Sequence, residues 1–247
     1  AAQAEGFSHY GGKLVFDGNG YMFLTAGDRQ APPVGTREEL MAHPAQDLSN
    51  HNGVMIRLHD DGRVPDDNPF VGVAGALPEI WSYGHRSPQG LAIHPETGDL
   101  WETEHGPQGG DELNRIEPGN NYGWPVVGHG VNYGEFGRPI HVGISEEGMT
   151  RPARFWVPSI ATSGLMVYTG DKFPLWYGNI FAGGLVGEQV ARLQLDDSYR
   201  NVVLEETVAY GLGRVRDIRQ GPDGYIYIAL SDRNAGETRV VRLEPMD

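Results

Sequence analysis

Along the chain, short apolar runs recur in pairs joined by turns that contain glycine. The pattern appears in KLVFDGNGYMFLTAGD from Lys13 and in GLAIHPETGDLWETEHG from Gly90. It returns in GLMVYTGDKFPLWYGNIFAGG from Gly164 and RVRDIRQGPDGYIYIALSD from Arg214. Each copy is followed by one more strand-like segment carrying an Arg-Leu or Arg-Ile pair: GVMIRL, DELNRI, QVARLQL and TRVVRLEP. Tyr21 to Ala26 and Tyr225 to Leu230 are mostly apolar throughout rather than alternating, which is how strands buried on both faces read. A single sheet cannot bury both of its faces alone, so four such units in tandem predict an all-β fold of radially packed blades, a β-propeller. A β-sandwich of unequal hairpins is the competing arrangement, and the repeated strand–turn–strand–strand order favours the propeller.

Two connections interrupt the repeat. Arg29 to Asn52 contains TREELMAH, a short helix candidate with Thr36 as N-cap and Glu39 at the capping-box position. His105 to Ser163 is longer and rich in Gly, Asn and Tyr. Long connections of this kind are usually functional or disordered, and its aromatic content argues for order. Binding chemistry is therefore expected there and at the ends of the buried strands. No linker divides the chain, so residues 1–247 are expected to form one propeller domain.

Composition narrows the partners. The 247 residues include Gly 36 and Pro 17, as expected for short strands joined by sharp turns. Thirty-three acids against 19 bases leave a net charge of −14, which repels nucleic acid and anionic membranes and suits cations and neutral polar substrates such as sugars. With no cysteine there is neither a disulfide nor a thiolate metal site. No run approaches the length of a membrane-spanning helix. AAQAEGFSHYGG has neither the basic start nor the apolar stretch of a signal peptide, and a processed exported protein would look the same.

Three groups of residues could carry chemistry. HGPQGGDELN offers glycine-framed carbonyls followed by Asp111 and Glu112, donors that suit a hard cation such as calcium; the same residues read equally well as a solvated acidic hairpin. Zinc at Glu104 and His105 is disfavoured, because adjacent strand residues point to opposite faces. His9 leads into one strand of a hairpin and Asp28 closes the other, so both can lie at one sheet edge, where a His–carboxylate pair makes a general base. Taken alone, a surface histidine and a turn aspartate explain them better. Arg86, and Arg214 with Arg216 two residues on along a strand, suit a ligand carrying several carboxylates, with ion pairs inside this acidic protein as the alternative. No phosphate-binding glycine loop is present, which argues against nicotinamide and ATP.

Several longer segments, namely HYGGKLVFDGNGYMFLTAGD, VPDDNPF, WSYGHRSPQGLAIHP, TEHGPQGGDELNRI, GNNYGWP and RVRDIRQGPDGYIY, resemble the soluble quinoprotein sugar dehydrogenases. These are the pyrroloquinoline quinone (PQQ)-dependent glucose and aldose sugar dehydrogenases and the related sorbosone dehydrogenases, and GPQGGDE and NNYGWP are closer to the aldose branch. The resemblance runs from about His9 to the C-terminus. It implies a six-bladed propeller, of which about four blades are present, with PQQ and calcium (Ca2+) on its top face. It implies oxidation of aldoses to lactones, with His9 taking the proton of the anomeric hydroxyl, Asp28 supporting it, and hydride passing to the quinone. By the same matching, Arg86, Ser87, His105, Asp111, Tyr133, Leu185, Arg214 and Arg216 are expected around the cofactor. The Gly106 and Pro107 carbonyls are expected on its calcium, and Glu112 and Tyr122 on a second, structural calcium.

The resemblance further implies an external electron acceptor (a dye, a quinone or a cytochrome-like protein) and a periplasmic or secreted location. Ser87 stands where the family usually has asparagine. Val186 stands where well-known members have lysine, which predicts weaker cofactor affinity. The family's first portion, with a glutamine near the substrate, has no counterpart here, and a ring lacking a sector would expose sheet faces and invite self-association. The alternative to an enzyme is a non-catalytic calcium-binding propeller, or a propeller fragment acting as an interaction module.

Overall fold

The buried strands cannot shed their apolar faces singly, and they do so in four antiparallel sheets that follow one another in chain order. A computed structural model describes residues 8–33, 35–133, 140–232, 236 and 238–245. The first sheet pairs β1 (Gly11–Phe16), β2 (Tyr21–Ala26), β3 (Val54–His59) and β4 (Ile80–Tyr83) in that order, with helix α1 (Arg37–Met41) between β2 and β3. The second pairs β5 (Pro88–Ile93), β6 (Leu100–Glu104), β7 (Asp111–Ile116) and β8 (Arg154–Trp156). The third comprises β9 (Thr162–Val167), β10 (Ile180–Gly184), β11 (Gln189–Leu195) and β12 (Val202–Tyr210). The fourth comprises β13 (Arg214–Gln220), β14 (Ile226–Ser231) and β15 (Arg239–Leu243).

Each sheet lies against the next. Phe23 and Met55 of the first meet Leu91, Leu100 and Ile116 of the second. Trp101, Leu113 and Trp156 of the second meet Leu165, Ile180 and Leu193 of the third. Met166, Phe181 and Val190 of the third meet Ile218, Ile226 and Ile228 of the fourth. The leading strands pack on one another in series, β1 on β5, β5 on β9 and β9 on β13, which places them on the inside of the arrangement. This is the radial packing of propeller blades, and the sandwich is set aside.

Glycine is what permits the innermost contacts. A Cβ at Gly90 would lie 2.5 Å from Leu165 Cβ, and one at Gly164 would lie 2.0 Å from Asp217 Oδ1. Both residues head a repeat in the sequence, at the point where one leading strand crosses the next. The turns are set by short polar side chains, as where Asp17 Oδ1 accepts from the backbone N–H groups of Asn19 (2.7 Å) and Tyr21 (3.0 Å) ahead of β2. The capping box forms at α1: Glu39 N–H donates to Thr36 Oγ1 at 3.4 Å, and Thr36 N–H donates to Glu39 Oε2 at 2.6 Å.

The face of β1 turned away from the second sheet is open, with Leu14 47% and Phe16 59% exposed. Lys13 Nζ of β1 reaches Asp217 Oδ2 of β13 at 3.3 Å and joins the first and fourth sheets from the inside.

Candidate active site

The β1–β2 hairpin brings His9 and Asp28 together at one sheet edge, whereas taken alone the residues read better as a surface histidine and a turn aspartate. His9 Nδ1 lies 2.6 Å from Asp28 Oδ1, and the carboxyl group is buried. A carboxylate only accepts, so Nδ1 carries the proton and Nε2 keeps a lone pair. The approach is tight: a Cβ at Gly27 would fall 2.0 Å from the His9 carbonyl oxygen. His9, Arg29 and Gln30 take left-handed backbone angles (φ 55°, 60° and 59°), a concentration of unfavourable conformations around one pair. Asp28 is fully occupied, accepting from Gln30 N–H at Oδ1 (2.8 Å) and from the Trp124 indole N–H at Oδ2 (2.7 Å).

His9 lines a cavity of about 730 Å³, together with Gln30, Arg86, His105, Gly106, Pro107, Asp111, Tyr133 and Val186. This lies within the range of small-molecule sites. The Arg86 guanidinium donates through Nη1 to the carbonyls of His105 (2.9 Å) and Gly106 (2.8 Å) and lies 5.1 Å from the Trp124 ring centroid. Its Nε is buried and meets no acceptor among the described residues. Burial pushes the Arg86 pKa down, against the opposing pull of Asp28, Tyr133, Glu104 and Asp111.

The loop after β6 is held from within. Asp111 Oδ1 accepts from Gly106 N–H (3.1 Å), and its Oδ2 accepts from Ser159 Oγ–H (2.7 Å) and Thr162 N–H (3.3 Å). The His105 ring Nε2 lies 2.6 Å from the Thr162 carbonyl. Burial lowers the His105 pKa, so the ring is a neutral donor there. A Cβ at Gly106 would lie 2.3 Å from the carbonyl oxygens of Gly109 and Gly110, so the loop closes only on glycine. Tyr133 donates its hydroxyl to the Pro107 carbonyl at 2.8 Å.

Glu112, Tyr122 and Glu104 line a small adjoining cavity of about 20 Å³, which shares Arg86, His105, Gly106 and Pro107 with the large one. Tyr122 donates its hydroxyl to the Arg115 carbonyl at 2.6 Å and accepts there from Glu117 N–H at 2.9 Å. The β6–β7 register sets Glu104 opposite Glu112 and Glu102 opposite Asn114. Asn114 Nδ2 then lies 3.4, 3.3 and 3.2 Å from carboxylate oxygens of Glu102, Glu104 and Glu112. Burial, then the neighbouring Glu104, pushes the carboxyl groups of Glu102 and Glu112 well above the usual range. His85 joins this group: one ligand atom each from His85, Glu102 and Glu104 lies within 4.8 Å of the others.

Ser87, Leu185, Arg214 and Arg216 do not wall the large cavity. Ser87 is buried, with its carbonyl accepting from His105 N–H, and Leu185 is buried and donates its N–H to Ala161. The strand spacing predicts Arg214 and Arg216 as same-face neighbours, but β13 has an irregular register between Val215 and Asp217. Arg216 occupies that bulge, is exposed, and donates Nε–H to Ser231 Oγ at 2.9 Å. Glu102, His85 and Trp124 are functional candidates that motif reading passes over, and it weighs Glu104 only as a zinc ligand. Glu102 and Glu104 could have been found by their spacing of two, which puts both on one face of a strand.

Residues 1–242 match the Glucose / Sorbosone dehydrogenase family. The chain belongs to that family. It is 42% identical over 231 residues to the aldose sugar dehydrogenase YliI of Escherichia coli, covering 93% of this chain and 59% of that protein. Among solved structures, a glucose dehydrogenase superposes with a TM-score of 0.85 at 41% identity, over 96% of this chain and 64% of the other. The PQQ-bound aldose sugar dehydrogenase of Streptomyces coelicolor superposes with a TM-score of 0.71 at 27% identity, over 97% and 63%. The chain therefore spans less than two thirds of each of these relatives, and its four sheets correspond to part of a propeller. Among the described residues no helix is long and apolar enough to cross a membrane.

Proposed function

We propose that this member of the glucose/sorbosone dehydrogenase family oxidises aldoses at the anomeric carbon to lactones, with PQQ and calcium as cofactors and His9 as the general base. The observation that carries the reading is the His9–Asp28 pair on the wall of a cavity whose buried Arg86 retains an unpartnered Nε. A buried guanidinium N–H without an acceptor calls for an anion, and a cofactor bearing carboxylates supplies one. The Gly106 and Pro107 carbonyls, each accepting a single donor among the described residues, keep lone pairs for a hard cation. Donors of both kinds in one cavity fit a carboxylate-bearing quinone with its calcium. When bound, the quinone supplies a two-electron acceptor for the hydrogen of the anomeric carbon.

The chain's own residues do the remaining work. His9 Nε2 takes the hydroxyl proton, while Asp28 holds the imidazole in the tautomer that leaves Nε2 free and stabilises the imidazolium that forms. Arg86 orients the anion, and Asp111 and His105 keep the loop carbonyls in place. Ser87, Leu185, Arg214 and Arg216 are retained as cofactor-side residues only in the sense the resemblance gives them. Glu112, with Glu104, Glu102 and Asn114 beside it and the Tyr122 backbone, would hold the second calcium. The electrons then leave for a dye, quinone or cytochrome-like acceptor, and the reading carries a periplasmic or secreted location with it. The open face of β1 supports association with a further sheet, from another copy or another part of the protein.

Reconstitution tests this reading. Adding calcium and PQQ is expected to give stoichiometric quinone uptake and dye reduction with aldoses. Folded protein that takes up no quinone and turns over no sugar would sink it. A second reading, a calcium-binding propeller without quinone chemistry, draws on Val186 in the cavity wall and on the placing of Arg214 and Arg216 outside it. Calcium uptake without a quinone chromophore would favour that reading.

A further inference from the structure

We infer that Trp124 is a positioning residue for the proton acceptor, its single indole bracing the His9–Asp28 pair and the anion-facing Arg86 together. The inference rests on the reading of His9 as the base. Trp124 is 6% exposed and comes from GNNYGWP, far along the chain from the β1–β2 hairpin. Its Nε1–H donates to Asp28 Oδ2 at 2.7 Å, while Asp28 Oδ1 faces His9 Nδ1 at 2.6 Å. A carboxylate is free to turn about its terminal torsion, and His9 and the Gln30 N–H both hold it at the same oxygen, Oδ1. Pinning Oδ2 fixes the carboxylate plane, and with it the direction of the His9 ring. Indole donates and does not titrate, so this hydrogen bond persists whatever the charge on His9.

The other parts of Trp124 are held as firmly. Its ring face lies under the Arg86 guanidinium at 5.1 Å, and His43 and His141 meet it edge to face at 6.2 and 5.5 Å. Its backbone N–H donates to the Gly84 carbonyl at 2.9 Å, and its carbonyl accepts from Gln46 Nε2–H at 2.7 Å. The indole is thus fixed independently of Asp28, as a positioning group requires. Among the charged or titratable groups that act electrostatically on the pair are Arg86 and His43, through Asp28, and His105, through His9.

Trp124→Phe keeps an aromatic ring under Arg86 and removes the N–H. Losing that donor leaves more negative charge for His9 to answer, so the His9 imidazolium is favoured. The expected result is an upward shift of the His9 ring titration, followed by NMR in protein without quinone, and an equal shift in the acid limb of kcat/KM. In the loaded enzyme kcat falls about tenfold to a hundredfold, as for a lost hydrogen bond to a buried charge, while KM and quinone affinity stay within about threefold. Gln46→Ala, which loosens the backbone of Trp124 without touching its N–H, should lower stability and leave the His9 titration in place.

If Trp124→Phe does not fold, benzothienylalanine at position 124 removes the N–H from a ring of the same shape. An unmoved His9 titration in either N–H-lacking variant overturns the inference. A shifted titration in protein whose wild type turns over no sugar overturns instead the reading of His9 as base and leaves the positioning role standing.

Discussion

Asp28 and the Glu102–Glu104–Glu112 group are both carboxylates withdrawn from water, and the protein treats them differently. Asp28 sits alone and meets His9, the Gln30 N–H and the Trp124 indole, so its carboxylate faces donors. The three glutamates share one amide nitrogen, that of Asn114; Glu104 Oε2 also accepts from the backbone N–H groups of Arg86 and Ser87, while Glu102 Oε1 and Asn114 Oδ1 meet no partner among the described residues. A carboxylate surrounded by donors can stay ionised in a dry place, whereas crowded ones with few donors, such as Glu102 and Glu112, favour bound protons or a cation. The first arrangement suits a working base pair. The second suits a structural ion, since burial and the neighbouring Glu104 raise the Glu102 and Glu112 carboxyl pKa values and a cation would offset the crowded charge.

The largest effect separates the two sites by function. His9→Ala should lower reconstituted turnover by at least about 10²–10⁴, the range of a general base, with quinone affinity unchanged within about threefold. Asp28→Asn should fall in the same range, because the amide can present N–H to His9 and fix the wrong tautomer. Normal turnover in Asp28→Asn would remove the distinction between a working carboxylate and a structural one.

The next effect concerns stability and calcium. Because Glu102 and Glu112 have raised pKa values in the folded state, the folded protein binds more protons than the unfolded chain above the ordinary carboxylate range near ~4.3. Their contribution is present in full below that range and is lost as pH rises through the raised values. Calcium-free protein should therefore lose melting temperature between about pH 5 and pH 8, and calcium should flatten that slope by replacing the protons. Glu102→Gln should stabilise the calcium-free form at pH 8 by about 1–3 kcal/mol and weaken the gain from calcium, since it removes one buried charge from the crowd. Thermal unfolding at two pH values, with and without chelator, reads both signs. A flat calcium-free profile would remove the contrast with Asp28.

The two sites also differ in how far the sequence reveals them. The apolar runs of β2 and β14 and the Thr36–Glu39 capping box are local, so the strands and α1 follow from pattern alone. His9 and Asp28 flank one hairpin, and hairpin geometry is enough to bring them near each other. The glutamate group depends on the β6–β7 register, which sets Glu104 against Glu112, and pairing across strands is not written in local propensity. Trp124 reaches Asp28 only once the long connection has folded over the first sheet. The bulge at Arg216 breaks an alternation that the residue types themselves suggest.

The two loop carbonyls between these sites give the finest comparison. Gly106 O is held by the buried Arg86, and Pro107 O by the hydroxyl of Tyr133, a residue 67% exposed. Arg86→Lys removes the planar guanidinium over Trp124 and its further N–H groups, leaving one ammonium to serve both carbonyls and any anion, so quinone affinity should fall about tenfold to a hundredfold. Tyr133→Phe removes one neutral hydrogen bond at the solvent edge, where water can replace the hydroxyl. Its expected cost is at most about 1 kcal/mol, or up to about fivefold in quinone or calcium affinity. Equilibrium titration of both variants checks the ranking. A Tyr133→Phe loss as large as that of Arg86→Lys would mean that the Pro107 carbonyl, rather than the guanidinium, governs how the cavity holds its ligand.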